Sequence, residues 1–451
     1  MNSTWCTSAR ALCFALLVFQ ASSVAAQDGP PASVSGSPSE CLKASRDWYS
    51  QASTAVWRQG SRAKNLTVAL DSLLREARIR ATPCAQAQRL DDQPLTELSA
   101  LAQLYQLVER PLDAARTATV FMASSGVPDT AKFTFLSTLI RGNLQVDDSA
   151  SVSRNDAYFA LMDALSDAVL RQRVAMHAGL SERYRSSDVN RGIRTHAEAL
   201  IAIRRRLQTS KPDSAVAIAN AAGLKGGMLA SAYGHLADVL GDDGYADSAI
   251  VVLRSGLAEN PEFSPVEKAP LEKSIARFSL VGKRAAPIDG TQWINAPPTT
   301  ARLSPKGKVT VIGFTAHWCP PCVKSYPDFV ALHETLKSDA VQFVLNTEFY
   351  GFVGERQNLT MAQEVEASRA YYVGKQRIRF PVAIAGRTPT RELKFADLPH
   401  VNFENYHVSW IPTTFIVDQQ GTIRRILTGW DAGNKDRILK QVRALLEESA
   451  R

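Results

Sequence analysis

The chain has 451 residues, of which 45% are hydrophobic and 21% are charged, with a formal net charge of +8. This length exceeds that of one ordinary domain, so we expect two or three domains, each with enough apolar material for a core. The positive charge is scattered, and no dense Lys/Arg tract with interleaved aromatic residues occurs, which argues against nucleic-acid binding.

The N-terminus has the pattern of a secretory signal, Met1–Ala26. Arg10 supplies a short positive region, Ala11–Phe19 an apolar core and Val24–Ala26 a small-residue cleavage site. The apolar core is too short to cross a bilayer. We therefore expect an exported protein, periplasmic or extracellular, that is soluble after cleavage. The next residues, Gln27–Glu40, are rich in Pro, Ser and Gly and predict a disordered tether.

Four cysteines follow the predicted signal: Cys41, Cys84, Cys319 and Cys322. An oxidising compartment favours a structural disulfide between Cys41 and Cys84, with a stabilisation of about 4 kcal/mol in the chain-entropy model. Two free buried thiols are the alternative, because the sequence does not give the separation of the two Cα atoms.

Residues 41–279 show a helical periodicity rich in Ala, Leu and Arg, which predicts an all-α domain with a boundary near Ser279. The predicted helices are Leu42–Arg58, Lys64–Arg80, Leu95–Val108, Leu112–Ser124, Asp156–Leu170, Gly192–Gln208, Ser214–Ala222, Met228–Leu240 and Tyr245–Leu257. The histidines of this domain lack partners at metal or catalytic spacing, so we expect surface or core roles for them: His177, His196 and His235.

One segment of this domain, Ala230–Pro261, resembles a tetratricopeptide repeat. Small residues at Ala237, Ala249 and Gly256 lie where two packed helices must approach closely. Because the other segments match the repeat poorly, an irregular helical bundle and a repeat solenoid both remain open. The repeat-like packing suggests a protein partner for the helical domain.

A Cys-Pro-Pro-Cys motif begins at Cys319, shortly after the apolar run Val309–Phe314. A buried strand that feeds a turn and then a helix places Cys319 at a helix N-terminus. There, free N–H groups and the helix dipole favour a thiolate, the species that attacks a disulfide. Cys322 lies one helical turn further on and can resolve the mixed disulfide. The two intervening prolines suit the first turn, where a missing N–H costs little.

Structural zinc sites use the same cysteine spacing. Zinc normally needs a second pair of ligands, and no Cys or His pair at ligand spacing lies nearby. His317 is a candidate third ligand, but it stands two residues before Cys319 and is expected to point elsewhere. The motif therefore predicts a redox dithiol, without a metal and without a cofactor.

The segment Val309–Val323 resembles the active-site strand and helix of the thioredoxin superfamily, in particular the TlpA/ResA-like extracytoplasmic thiol-disulfide oxidoreductases. Trp410–Asp418 is similar to the cis-proline loop of that family, and Pro327 matches its helix-kinking proline. The resemblance covers about Val281 to the C-terminus. It implies an α/β thioredoxin-like domain over residues 280–451, with a mixed central sheet and helices on both faces.

The residue patterns of this part agree with that arrangement. We predict strands Val309–Phe314, Val341–Leu345, Val382–Ile384, Thr414–Val417 and Ile423–Thr428, and helices Pro320–Leu336, Met361–Tyr372 and Lys435–Glu448. Residues 281–308 correspond to a β-hairpin in the family. The segment Asn346–Lys375 is longer than a minimal thioredoxin needs and resembles the family's insertion.

The resemblance also implies roles beside the dithiol. Pro412 would follow a cis peptide bond, and the backbone of Ile411 would pair with an extended substrate, with Thr413 as a further substrate-binding residue. An ordinary trans turn proline is the alternative. Trp318 would form the apolar lip of the site. His317, at a position usually exposed in relatives, is either simply solvated or lowers the pKa of the Cys319 thiol through a protonated imidazole.

Gly313 departs from the superfamily pattern. Thioredoxins carry a buried Asp there, which serves the proton transfers of the second cysteine, and glycine cannot accept a proton. Glu348, just after the next strand, is a candidate substitute, although a surface carboxylate is equally consistent with its position.

These features favour an exported thiol-disulfide oxidoreductase, in which Cys319 attacks a protein disulfide and Cys322 releases the product. The resemblance favours net reduction, with a membrane thiol-electron carrier as the donor, although the motif alone does not fix the direction. The alternative is a helical-repeat interaction protein whose thioredoxin-like domain mainly recognises clients.

Overall fold

The computed structural model describes residues 36–58, 63–144, 148–186, 189–297, 299–385, 401–431 and 433–449. The predicted signal lies outside the described residues, as do residues 27–35 of the predicted tether. The end of that tether was assigned wrongly, because the first described helix begins at Pro38. None of the described helices is long and apolar enough to span a membrane.

The chain divides after Arg173 into two compact units. The described helices of the first unit are α1 (Pro38–Arg58), α2 (Ala63–Ala87), α3 (Leu98–Leu107), α4 (Pro111–Ala123), α5 (Asp129–Asn143) and α6 (Asp148–Asp163), and α7 (Leu170–Ser186) begins just before the division. The core of this unit includes Leu98, Leu101 and Leu104 of α3, which are buried against α2.

Cys41 of α1 and Cys84 of α2 are brought together in the first unit. Their Cα atoms are 6.4 Å apart and their side-chain torsion about the sulfurs is 76°, and the structure records the pair as a disulfide. A Cα separation of this size is one that disulfides span. The pair therefore ties the first two helices to each other.

The helices of this region were predicted only in part. The predicted helix Asp156–Leu170 instead ends at Asp163, and α7 begins seven residues later. The break is held by Arg173, whose guanidinium donates to the carbonyl oxygens of Asp163 and Leu165 at 2.6 and 3.0 Å. Helices α5 and α7 were not predicted.

The second unit contains the remaining helices and the sheet. Its further helices before the sheet are α8 (Asn190–Ser210), α9 (Ala215–Ala221), α10 (Gly226–Asp242), α11 (Ala246–Glu259) and α12 (Pro265–Phe278). A Cβ added to Gly256 of α11 would lie 2.7 Å from the ring of Tyr233 of α10. This close approach explains the small residue, whereas the repeat character of the segment remains a prediction.

A six-stranded mixed sheet follows, in the order β2-β6-β5-β4-β7-β8. Its strands are β2 (Gln292–Ile294), β4 (Val309–Phe314), β5 (Val341–Glu348), β6 (Val382–Ala385), β7 (Thr413–Val417) and β8 (Ile423–Thr428), and β1 (Ile288–Asp289) pairs separately with β3 (Arg302–Leu303). Strands β4, β5 and β6 are parallel, whereas β7 and β8 run antiparallel to their neighbours. The predicted α/β class and the multidomain layout are confirmed.

The central strand β4 is buried along its whole length, because both faces of the sheet are covered. Val311 belongs to the core beneath α13 (Pro320–Thr335) and α16 (Asn434–Ser449). Phe314, on the opposite face, contacts aromatic rings near α15 (Val401–Asn405) and on β7. Strand β4 ends at Phe314, directly before the segment Thr315–Cys322 that carries the Cys-Pro-Pro-Cys motif and is called the redox turn below.

The long connection after β5 carries α14 (Met361–Arg369), which continues into a π-helical turn at Ala370–Lys375. The prediction of one helix over Met361–Tyr372 missed this change. A capping box between Thr360 and Gln363 fixes the start of α14. π-Helical turns frequently occur near functional sites, and this one lies beside the redox turn.

Candidate redox site

Cys319 is the N-cap residue of α13. Its backbone is extended, and its sulfur accepts a hydrogen bond from the N–H of Cys322 at 3.3 Å. Pro320 is the first helical residue, so one N–H that would have had no partner is absent. The positive end of the helix dipole therefore points at the Cys319 sulfur, as the sequence pattern indicated.

The two sulfurs of the motif form a close pair in the structure, which records them as a disulfide with a Cα separation of 5.3 Å. Cys322 is fully buried in the core, whereas Cys319 retains 3% exposure. Its neighbour Trp318 is 49% exposed, and Pro320 is exposed as well. The exposed residues at the dithiol therefore adjoin Cys319 and not Cys322.

The cis-proline loop lies against this sulfur. The Ile411–Pro412 peptide bond is cis, and the Cys319 sulfur is 3.6 Å from the carbonyl oxygen of Ile411. The sheet register explains the encounter, because Thr413 pairs with Phe314 at the end of β4, just before the redox turn. Two segments 92 residues apart in sequence thus meet at the site.

Thr413, which follows the cis-proline, turns its side chain into the fold. Its side chain is fully buried, and its hydroxyl donates to the carbonyl oxygen of Trp410 at 2.6 Å. The hydroxyl therefore holds the loop in shape instead of facing solvent. Trp410 itself is half exposed beside the cis peptide bond.

The expectation that His317 is exposed was wrong. Only 7% of the residue is exposed, and its ring contacts the rings of Tyr350, Phe352 and Tyr371. Burial lowers the pKa of His317 from its ordinary value, with partial opposition from a hydrogen bond to the backbone of Phe352. The imidazole is therefore neutral at pH 7, and its charge cannot favour the Cys319 thiolate at that pH.

Gly313 has a steric explanation. A Cβ at this position would lie 2.7 Å from a methyl group of Leu345 and 3.1 Å from the ring of Phe329. An aspartate of the superfamily type therefore has no room. Glu348 ends β5, two residues beyond Asn346, which pairs with the last residue of β4. The backbone of Glu348 thus lies at the end of the sheet where the redox turn begins, and by strand alternation its side chain is on the face of Asn346 and Phe314.

The inserted segment, Asn346–Lys375, supports the redox turn. The sequence did not reveal this support. Tyr371, in the π-helical turn, donates its hydroxyl to the carbonyl oxygen of His317 at 3.1 Å. Tyr350 contacts both His317 and Trp318 edge to face. The sequence shows these aromatic residues clustered in the predicted insertion, but it does not show that they contact the redox turn.

The helices of the second unit also reach the site. The guanidinium of Arg185 lies 4.3 Å from the centre of the Trp410 ring, and the N–H of Thr428 donates to Asp242 of α10 at 2.6 Å. These residues carry no motif, so sequence patterns could not have assigned them to the site.

The three histidines of the helical region are buried, which agrees with the expected core role. The Nδ1 atoms of His177 and His196 are 2.9 Å apart, and both residues are fully buried. Nδ1 of His235 lies 3.2 Å from the hydroxyl of Ser181. Among the described residues, no group of three or more His, Cys, Asp or Glu side chains could hold a metal ion.

The sheet order, the N-capping Cys319 and the cis-proline loop define the C-terminal part as a thioredoxin-like domain. Residues 281–426 match the sequence model of the AhpC/TSA family. Over 124 residues, the chain is 26% identical to the sporulation thiol-disulfide oxidoreductase A of Bacillus subtilis and 25% identical to the thiol-disulfide oxidoreductase ResA of the same organism. The resemblance to TlpA/ResA-like proteins is thereby supported.

These matches are partial. They cover 28% of this chain, and 61% and 55% of the two relatives. Among solved structures, a thiol-disulfide isomerase from Corynebacterium glutamicum is 21% identical, with 36% of this chain and 96% of that chain covered and a TM-score of 0.28. A thiol:disulfide interchange protein from Chlorobium tepidum is 23% identical, with 37% and 96% covered and a TM-score of 0.25.

Proposed function

We propose that the protein is an exported thiol-disulfide oxidoreductase that acts on protein disulfides. The observation that carries the proposal is the position of the Cys319 sulfur. It lies at the N-terminus of α13 and 3.6 Å from the carbonyl oxygen of Ile411. A thiolate is favoured there, next to a backbone that an extended client can reach.

The exchange proceeds in two displacements. The Cys319 thiolate attacks one sulfur of the client disulfide, and the other client sulfur leaves as a thiolate and takes up a proton. The Cys322 thiolate then attacks the Cys319 sulfur, which releases the second client thiolate. The client gains two electrons and two protons, and the domain is left with a Cys319–Cys322 disulfide.

Net reduction is the direction favoured by the resemblance, with a membrane thiol-electron carrier as the source of electrons. The predicted signal places the protein in the periplasm or outside the cell. The named relatives are thiol-disulfide oxidoreductases. Their names agree with disulfide exchange and do not favour reduction over oxidation. A measured reduction potential more negative than that of the client disulfides would support the reductant role.

Glu348 is the proposed proton acceptor for Cys322, because it ends the strand next to the redox turn and Gly313 offers no carboxylate. The Glu348→Gln variant should slow the second displacement more than the first. Equal rates for wild type and variant in the release of the second client thiolate would remove this role.

Insulin reduction tests the proposed function. Wild type should precipitate the insulin B chain in the presence of a thiol donor, and Cys319→Ala should show only the rate of the donor alone. The Cys41→Ala/Cys84→Ala variant, which keeps the redox motif, is the matched control. Equal rates for wild type and Cys319→Ala would instead favour the interaction protein, with client recognition as its main role.

A further inference from the structure

A cavity of about 250 Å³ adjoins the redox site. One wall is formed by Pro321 of the redox turn and by the cis-proline loop, and the other by helical residues such as Ile193 and Val239. Both walls lie within the second compact unit. The cavity therefore begins where a client bound to Cys319 would have to lie, and helices that precede the thioredoxin-like domain form its other side.

Four acidic residues line this cavity, Glu182, Asp238, Asp242 and Asp431, and all of them have partners within the fold. Asp238 accepts from the guanidinium of Arg277 at 2.6 Å, and Asp242 accepts from the N–H of Thr428 at 2.6 Å. Asp431 is held by an arginine of α16 through two contacts of 2.7 Å. Because these carboxylates already have donors, they do not require a cationic ligand.

The surface that remains at the redox side is apolar. Trp410 is 50% exposed, and Pro321, Ile411 and Pro412 continue the same wall. Arg185 lies over the ring of Trp410 at 4.3 Å, which fixes the indole at the edge of the cavity. The volume is smaller than the range of about 300–1,000 Å³ typical of pockets for whole small molecules, and it suits one large side chain.

We propose that this cavity binds an apolar, preferably aromatic, side chain next to the reactive cysteine of the client. The inference rests on the proposed function and adds a substrate preference to it. Helices α8 and α10 would then select the client at the redox site itself. A thioredoxin-like domain without these helices would lack the second wall.

Unstructured peptides, each dimerised through its single cysteine, test the preference. They are identical except for the residue beside the cysteine, which is Phe, Ser, Lys or Glu, and each residue is tried both before and after the cysteine. With pre-reduced protein in single-turnover assays, the Phe peptide should react about tenfold faster than the Ser peptide, as expected for burial of a large apolar side chain. A Lys or Glu peptide that reacts faster than the Phe peptide would overturn the assignment.

Hydroxyethyl disulfide, which has no side chain for the cavity, separates the two proposals. Wild-type protein that reduces it but treats the Phe and Ser peptides alike would overturn the subsite and leave the proposed function intact. Protein that reduces neither hydroxyethyl disulfide nor the peptides would count against the proposed function.

Variants of Ile193 place the preference in the cavity. Ile193→Phe should fill the space and abolish the advantage of the Phe peptide, measured as the ratio of its rate to that of the Ser peptide. Ile193→Ala should widen the space and favour a Trp peptide over the Phe peptide, which provides a second test where the larger side chain impairs folding. Ile203→Ala, on the same helix and 8% exposed, is the control. An unchanged Phe preference in both Ile193 variants would contradict the proposal.

Discussion

The chemistry of the site depends on which cysteine sulfur lies at a helix N-terminus. Cys319 is the N-cap of α13 and accepts a backbone N–H at 3.3 Å, whereas Cys322 is the third residue of the helix and fully buried. Two sulfurs three residues apart therefore have different surroundings. One is suited to attack and the other to resolution.

Alkylation of the reduced protein should reveal this difference. At pH about 6, iodoacetamide should modify Cys319 about tenfold faster than Cys322, because only Cys319 has a helix N-terminus to stabilise its thiolate and a path to solvent. Mass spectrometry of proteolytic fragments gives both rates in one sample. Equal modification of the two cysteines would contradict the assignment of Cys319 as the nucleophile.

Gly313 stands where thioredoxins carry a buried aspartate, and the neighbouring side chains leave no room for one. Gly313→Ala should destabilise the protein by about 1–3 kcal/mol, because its Cβ would meet Leu345 and Phe329 in a filled core. Gly374→Ala is the control, since a Cβ there meets nothing within 4 Å. Urea unfolding checks both variants, and equal midpoints would show that the core accommodates the methyl group.

At the scale of elements, the insertion after β5 supports the redox turn. Helix α14 begins at a capping box and passes into a π-helical turn that presents Tyr371 to the carbonyl oxygen of His317. The aromatic residues around His317 bury it and keep it neutral at pH 7. The insertion therefore fixes the residues just before Cys319, which would otherwise form an exposed loop.

Tyr371→Phe removes the hydroxyl that donates to His317 and keeps the ring. It should lower the free energy of unfolding by about 0.5–1.5 kcal/mol, because the carbonyl group of His317 loses its donor. Tyr245→Phe, at a residue that is 61% exposed, should leave the stability unchanged within about 0.5 kcal/mol. Equal urea midpoints for the Tyr371→Phe variant and wild type would show that the hydroxyl does not support the turn.

The elements that carry motifs were predicted well, and those that depend on tertiary contacts were not. Strands β4 and β8 have the predicted limits, because an apolar run or a turn bounds each of them. The π-helical turn and the break after Asp163 depend on partners distant in space, such as the contact from Arg173. The residues of the helical wall, Arg185 among them, have no local pattern that points to a redox site.

In the second compact unit, buried polar contacts join the helices to the sheet. Asp242 of α10 accepts from Thr428 of β8, and its backbone carbonyl accepts from Arg425. Burial raises the pKa of Asp242 well above its usual value, although the N–H of Thr428 opposes this shift. Helices and sheet thus share one set of buried contacts, and the dithiol lies beside them.

The buried histidines of this unit should make its stability depend on pH. Burial, with His177 as a second cause, lowers the pKa of His196 to about 3, and burial lowers that of His235 to about 3. An unfolded histidine binds a proton below about pH 6.5, whereas the folded protein keeps these two neutral. Stability should therefore fall as the pH drops from 6.5 towards 3, and this contribution is fully present above 6.5.

Urea unfolding of wild type and His196→Gln at pH 7.5 and 5 tests this prediction. On acidification, wild type should lose about 2 kcal/mol more than the variant, which lacks the titrating ring. The comparison cancels the opposite contribution of Asp238 and Asp242, whose raised pKa values favour the fold at lower pH. Parallel losses in both proteins would mean that His196 is protonated in the folded state.

Trapping of a mixed disulfide tests the central claim most directly. Pre-reduced Cys322→Ala is mixed with a peptide disulfide, quenched with acid and analysed by mass spectrometry. The predicted result is a covalent adduct of one peptide on Cys319, with no adduct in Cys319→Ala under the same conditions. Adducts of equal yield in the two variants, or no adduct in either, would contradict the assignment of Cys319 as the attacking sulfur of a disulfide-exchange enzyme.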